Sequence, residues 1–173
     1  MFDPTIYENM KVVIEGAVYD LDLAGEILVT NRSDRVELST MSRSYSIQFK
    51  LLGLGDVMAE LCLAAATEDL ASEILEKTTM TPGCTLQINL QMQIADVEED
   101  CSAAQHILFD IWGNSCEISQ KLSFIYGKNH HSNYLNEISL DFGRKFGESL
   151  IDDIPSMLEH IVLSIERLNE IGG

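Results

Sequence analysis

Residues 85–94 read TLQINLQMQI, in which Leu86, Ile88, Leu90, Met92 and Ile94 alternate without a break with Gln87, Asn89, Gln91 and Gln93. A strand sends successive side chains to opposite faces, so this stretch carries one apolar face and one amide face. It requires a sheet, and the apolar side of that sheet requires a covering layer. The Ile/Leu stripe of residues 151–168 is the best cover the chain offers.

The rest of the chain is read around that strand. Tyr45, Ile47, Phe49 and Leu51 alternate with Ser46, Gln48 and Lys50, which predicts a strand over 44–52. Asp96 with Glu99 three residues on is a capping-box variant. Ala104, Ile107, Leu108, Ile111 and Trp112 follow at helical spacing, and Gly113 stops the helix. Ile118 to Tyr126 and Tyr134 to Phe142 alternate as two further strands around a polar hairpin loop, KNHHSN. Asp153 and Pro155 mark the start of a last helix, whose apolar positions Ile154, Leu158, Ile161, Ile165 and Leu168 face a sheet.

Two stretches read less clearly. Asp3-Pro4 opens a short helix over 4–9, and the β-type residues Val12, Val13, Ile14, Val18 and Tyr19 suggest a strand over 11–21. Tyr7, Met10, Ile14, Ala17 and Leu21 also match a helical stripe, so helix and strand both remain open there. If 11–21 is a strand, residues 26–31 pair back on it as a hairpin. Residues 32–43 then read as loop, with a short strand around Val36 and Leu38. After the Gly53-Leu54-Gly55 stop, Asp56 is placed to cap a helix over 56–77, carrying Val57, Met58, Leu61, Cys62, Ala65 and Ala66 on one face and broken near Ala66. The expected whole is a single α+β domain over 1–173, with one mostly antiparallel sheet and helices packed on one face.

Twenty-eight acidic residues against eleven basic ones give a net charge of −17. Contacts with nucleic acid and anionic membranes need Lys and Arg against phosphate, so neither partner is expected. The four cysteines, Cys62, Cys84, Cys101 and Cys116, are widely and unevenly spaced with no CxxC, as expected of reduced, packed thiols in a cytoplasmic protein. The first residues hold no basic region followed by an apolar run, and no apolar stretch approaches membrane-spanning length.

No motif fixes a chemistry. His130-His131 are adjacent imidazoles in a polar loop, but HxH and HExxH spacings are absent, so a solvated hairpin is expected rather than a metal site. His106 and His160 lie off the apolar stripes of their helices. Cys116, in GNSCE, reads as the most accessible thiol, and Glu117 beside it disfavours a thiolate. Gly53-Leu54-Gly55 lacks the rest of a phosphate-binding fingerprint. No catalytic residue, metal or cofactor is therefore expected. The amide face of Gln87, Asn89, Gln91 and Gln93 is the best candidate interaction face: in so acidic a chain a merely solvated strand would be expected to carry Glu or Lys. Neutral amides can meet a partner without the desolvation cost of ions.

Small acidic α+β chains recur among secretion chaperones, immunity proteins and adaptors, a likeness of size and charge. The expected function is a non-enzymatic cytoplasmic protein-interaction domain that binds a protein partner or self-associates. The alternative is a small-molecule-binding domain or enzyme with its pocket between sheet and helices.

Overall fold

The computed structural model describes residues 5–127 and 133–171. The elements run α1 (Ile6–Leu23), β1 (Ile27–Glu37), β2 (Ser42–Leu51), β3 (Met58–Ala65), α2 (Thr67–Ile74), β4 (Cys84–Ile94), α3 (Val97–Trp112), β5 (Glu117–Ser123), β6 (Tyr134–Phe146) and α4 (Ile154–Leu168). A short 3-10 helix, Glu148–Asp153, leads into α4. All six strands form one antiparallel sheet in the order β1-β2-β3-β4-β6-β5. The expected α+β class, with helices packed on one face, holds.

β4 pairs with β3 on one side and β6 on the other, so its alternation propagates through registered neighbours. On the apolar side Ile47, Leu61, Ile88, Leu140 and Ile118 stand in one row across five strands. Over them lies a helix layer with α4 in the middle, touching both α1 and α3. α1 contributes Tyr7, Met10, Ile14 and Val18, and α3 contributes Ala104, Leu108 and Trp112. Ile161, Ile165 and Leu168 of α4 are fully enclosed with Leu90 in one core cluster. A helix buried along one stripe and a strand buried along alternate positions both follow from their own periods, and the two surfaces meet as layers.

The first ambiguous stretch is a helix. Residues 11–21 belong to α1, with Tyr7, Met10, Ile14 and Val18 on its buried face, so the strand reading is corrected. Packing of one apolar face outweighs the weak β preference of Val and Ile. Its N-cap is Thr5, whose hydroxyl accepts from Glu8 N at 3.2 Å; the Asp3-Pro4 start lies outside the described residues. Without a strand at 11–21, residues 26–31 do not fold back on it. They open β1, which runs on through the expected loop and pairs with β2. Lys11 Nζ reaches Asp34 of β1 at 2.9 Å and Glu8 at 3.1 Å, and Arg43 of β2 pairs with Glu8.

The second stretch is largely a strand. Residues 58–65 form β3, sandwiched between β2 and β4, and the helix begins only at Thr67. Asp56 caps nothing and stands exposed in the β2–β3 turn, 3.4 Å from Lys50 Nζ. That turn is held instead by the far end of the chain. Asn169, at the C-terminus of α4, accepts from Val57 N at 3.2 Å and donates to the Leu54 carbonyl at 3.0 Å. Gly55 is required at this approach: its φ is +67°, and a Cβ there would stand 2.0 Å from Asn169 Oδ1.

The strand expected over Ile118 to Tyr126 is shorter: its pairing with β6 ends at Ser123–Leu135, and Phe124, Ile125 and Tyr126 lie beyond it, exposed. Asp96 Oδ1 accepts from Glu99 N at 2.8 Å at the start of α3. The returning carboxylate is Asp100 rather than Glu99: its Oδ2 accepts from Ala95 N and Asp96 N, both at 3.0 Å.

Candidate functional site

Two surfaces are built in a way the core does not require: the uncovered face of the sheet, and a groove where β6 passes under the ends of α3 and α4.

No described element packs over the second face of the sheet. Three cross-strand rows make up its middle. The first runs Ser33, Ser46, Cys62, Gln87, Asp141 and Glu117. The second runs Gln48, Glu60, Asn89, Ser139 and Ser119. The third runs Lys50, Met58, Gln91, Glu137 and Lys121. Apart from Glu60, small or neutral side chains hold the middle row, and the other charges stand in the rows on either side. Gln87 and Gln93 are exposed, while Asn89 and Gln91 are half-buried by their neighbours. Gln87 Nε2 donates to Ser139 Oγ at 3.2 Å, Ser139 Oγ donates to Asn89 Oδ1 at 2.8 Å, and Asn89 Nδ2 reaches Cys62 Sγ at 3.6 Å. This network fixes Asn89, whereas Gln91 and Gln93 have no side-chain hydrogen bond among the described residues.

Cys62 sits in this face as a half-buried thiol. Burial, with Glu60 nearby, pushes its pKa up to about 12. A thiol so raised is a weak nucleophile near neutral pH. Cys116 is half-buried against the core rather than freely accessible, and burial raises it too, with Asp141 adding to the shift. His130 and His131 lie outside the described residues. Among the described residues, no three His, Cys, Asp or Glu side chains converge as a metal would need, and no helix is long and apolar enough to cross a membrane.

The groove begins with a bulge. Thr85 pairs with Lys145 and Gln87 with Asp141, so β6 spends four steps where β4 spends two. Gly143, at φ +65°, sits in the extra loop, and its N–H donates to Asp141 Oδ1 at 2.8 Å. An even number of extra residues keeps the alternation, so Phe142, Arg144 and Phe146 stay on the side of Ile138 and Leu140. They face Trp112 at the end of α3 and Met157 and His160 on α4, enclosing a groove of about 400 Å³. Ring centroids of Trp112 and Phe142 are 5.9 Å apart, edge to face, and those of Phe142 and Phe146 are 5.7 Å apart. Trp112 is anchored from behind: its Nε1 donates to Ser164 Oγ at 3.0 Å, and that hydroxyl donates to the His160 carbonyl at 2.7 Å. His160 tilts against the indole at 5.4 Å. Its Nδ1 lies 2.7 Å from the Ser156 carbonyl, which can only accept, so Nδ1 carries the hydrogen and Nε2 is left open.

Arg144 is the cation of this groove. Its guanidinium lies over Phe146, 4.5 Å from the ring centroid, and no carboxylate of the described residues is within ion-pair distance. Asp153 stands at the same groove from the start of α4. Sequence reasoning identified Trp112 and Phe142 only as members of apolar stripes and passed over Arg144. The available signal was a lone Arg at an even position of a strand whose other even positions, from Ile138 to Phe146, are apolar.

Compared with family models, with characterised proteins and with solved structures, the chain has no significant match.

Proposed function

We propose that this chain is a non-enzymatic, cytoplasmic protein-interaction domain, adaptor-, chaperone- or immunity-like, whose docking surface is the open face of the sheet. One observation carries the reading: no described element covers the second face of the six-stranded sheet, and in a chain of net charge −17 the middle row of that face holds one charged side chain, Glu60. Gln87, Asn89, Gln91 and Gln93 form its middle strand. Neutral amides and hydroxyls can exchange water for a partner's groups at low desolvation cost, and a flat network held by Ser139 loses little side-chain entropy on contact. The carboxylates among them, Glu60, Glu117, Glu137 and Asp141, favour a protein surface that sets basic groups among neutral ones. The same charge disfavours nucleic acid and anionic membranes.

A photoreactive benzoylphenylalanine placed at Gln87 tests this in cells. It should crosslink to a protein, either another chain or a second copy, while the same group at Glu159 on the exposed side of α4 should not. Asn89→Lys with Gln91→Glu should abolish the Gln87 adduct. Absence of an adduct at Gln87, or equal adducts at both positions, overturns the reading.

The groove supports a second reading, a small-molecule site between sheet and helices. Its volume is within the range of ligand pockets, and its walls are aromatic with a few polar groups, as such sites are.

A further inference from the structure

We propose that the groove between β6, the end of α3 and the start of α4 binds a small apolar monocarboxylate, with the carboxylate on Arg144 and the tail against Trp112, Phe142 and Met157. The ligand class refines the small-molecule reading and is independent of the open sheet face.

The recognition chemistry comes from what the groove lacks as much as from what it holds. Among the described residues, Lys11, Arg32, Arg43, Lys50, Lys121, Lys145 and Arg167 each stand within ion-pair distance of a carboxylate. Arg35, Lys77 and Arg144 do not, although acids outnumber bases 28 to 11, and of these three it is Arg144 that lines the groove. Its guanidinium carbon lies 4.5 Å from the Phe146 ring centroid, at the wall of the groove. A guanidinium edge matches a carboxylate in a two-point contact.

The charge count sets the ligand at a single negative charge. Arg144 is one cation, and Asp153 at the same groove opposes further negative charge. A phosphate dianion would therefore be poorly matched. The apolar part of the ligand is set by the walls: the two edge-to-face aromatic pairs leave ring surface and the Met157 side chain to be covered, and Met adapts to irregular tails. His160 Nε2 and the Ser156 hydroxyl are further polar atoms at the groove.

Trp112 is the single tryptophan of the chain and is part of the groove wall, so its fluorescence reports occupancy directly. The probe is octanoate, with octanamide as its uncharged counterpart. Octanoate should change Trp112 emission saturably, with a dissociation constant of about 1 mM or tighter. Octanamide should bind at least about tenfold more weakly. Arg144→Met keeps the apolar stem on Phe146 and should weaken octanoate about tenfold while leaving octanamide unchanged. Asp153→Asn should tighten octanoate about two- to threefold. Arg144 and Asp153 are both exposed, and circular dichroism checks that both variants remain folded. Equal affinity for the two probes, or no effect of Arg144→Met, overturns the carboxylate assignment while a small-ligand groove survives. No saturable response to either probe overturns both.

Discussion

β4 presents two faces that differ by one residue in register and by nearly everything in physics. Leu86, Ile88, Leu90, Met92 and Ile94 are buried beneath a helix layer, in one continuous cluster with α1, α3 and α4. Gln87, Asn89, Gln91 and Gln93, one step away along the same backbone, lie under no element of the described residues. Each fully buried aliphatic side chain on the first face contributes about 1.5–3 kcal/mol relative to exposure. A hydrogen bond such as that from Ser139 to Asn89 contributes about 0.5–1.5 kcal/mol net, and less where water competes. The fold is thus held from one side of its sheet. The other side contributes less to stability, so the docking surface proposed there can be altered without unfolding its scaffold.

The largest expected effect lies on the covered face. Leu90→Ala and Ile161→Ala, one in the strand and one in the helix above it, should each cost about 2–5 kcal/mol in denaturant unfolding at constant slope. Values below about 1 kcal/mol for both would mean that the faces do not differ as described.

A smaller effect is expected at the edge of the helix layer, where α1 meets the β1–β2 hairpin. Burial alone would raise the Glu8 carboxyl, but hydrogen bonds from Lys11 and Arg43 outweigh it and hold the group below its usual 4.5. A carboxyl depressed in the folded state stabilises the protein above its unfolded pKa, and that contribution is lost as pH falls through the folded value. Glu8→Gln should therefore lose less stability than the wild type between about pH 7 and about pH 3. Because the Glu8 side chain is 32% exposed, the difference should stay under about 1 kcal/mol. A difference as large as that of Leu90→Ala would show that charge, not apolar layering, holds the helices to the sheet.

The smallest effect on stability should come from the open face. Asn89→Lys with Gln91→Glu places a lysine opposite Glu60 and a glutamate beside Glu137. Its unfolding midpoint should correspond to a change within about 0.5 kcal/mol, as for surface positions, even as it abolishes the Gln87 crosslink. A loss of several kcal/mol would make this face part of the scaffold and end the contrast between the two sides.

Legibility in the sequence follows how local the deciding physics is. Unbroken alternation determined β4, and with it the existence of a sheet that is apolar on one side. The caps and 3.6-residue stripes determined α3 and α4, because an Asp96 side chain bonds its own first turn and a stripe such as Ile154 to Leu168 needs only a flat surface to cover. The sequence also marked Gln87 to Gln93 as unusual without being able to say what lay above it.

Tertiary structure decided the rest. Residues 58–65 are rich in Ala, Leu, Met and Glu, which suit a helix, yet β2 and β4 pair with them on both sides and hold them extended. Residues 12–14 are β-type, yet α1 forms because Tyr7, Met10, Ile14 and Val18 together bury one stripe against the sheet. The groove depends on more distant coincidences still: a bulge in β6, the end of α3 and the start of α4 bring Arg144, Trp112 and His160 together from three separate elements. Local periodicity records which face of an element is apolar. It does not record which neighbour will cover that face or what will be left standing beside the join, because those depend on contacts between residues far apart in the chain.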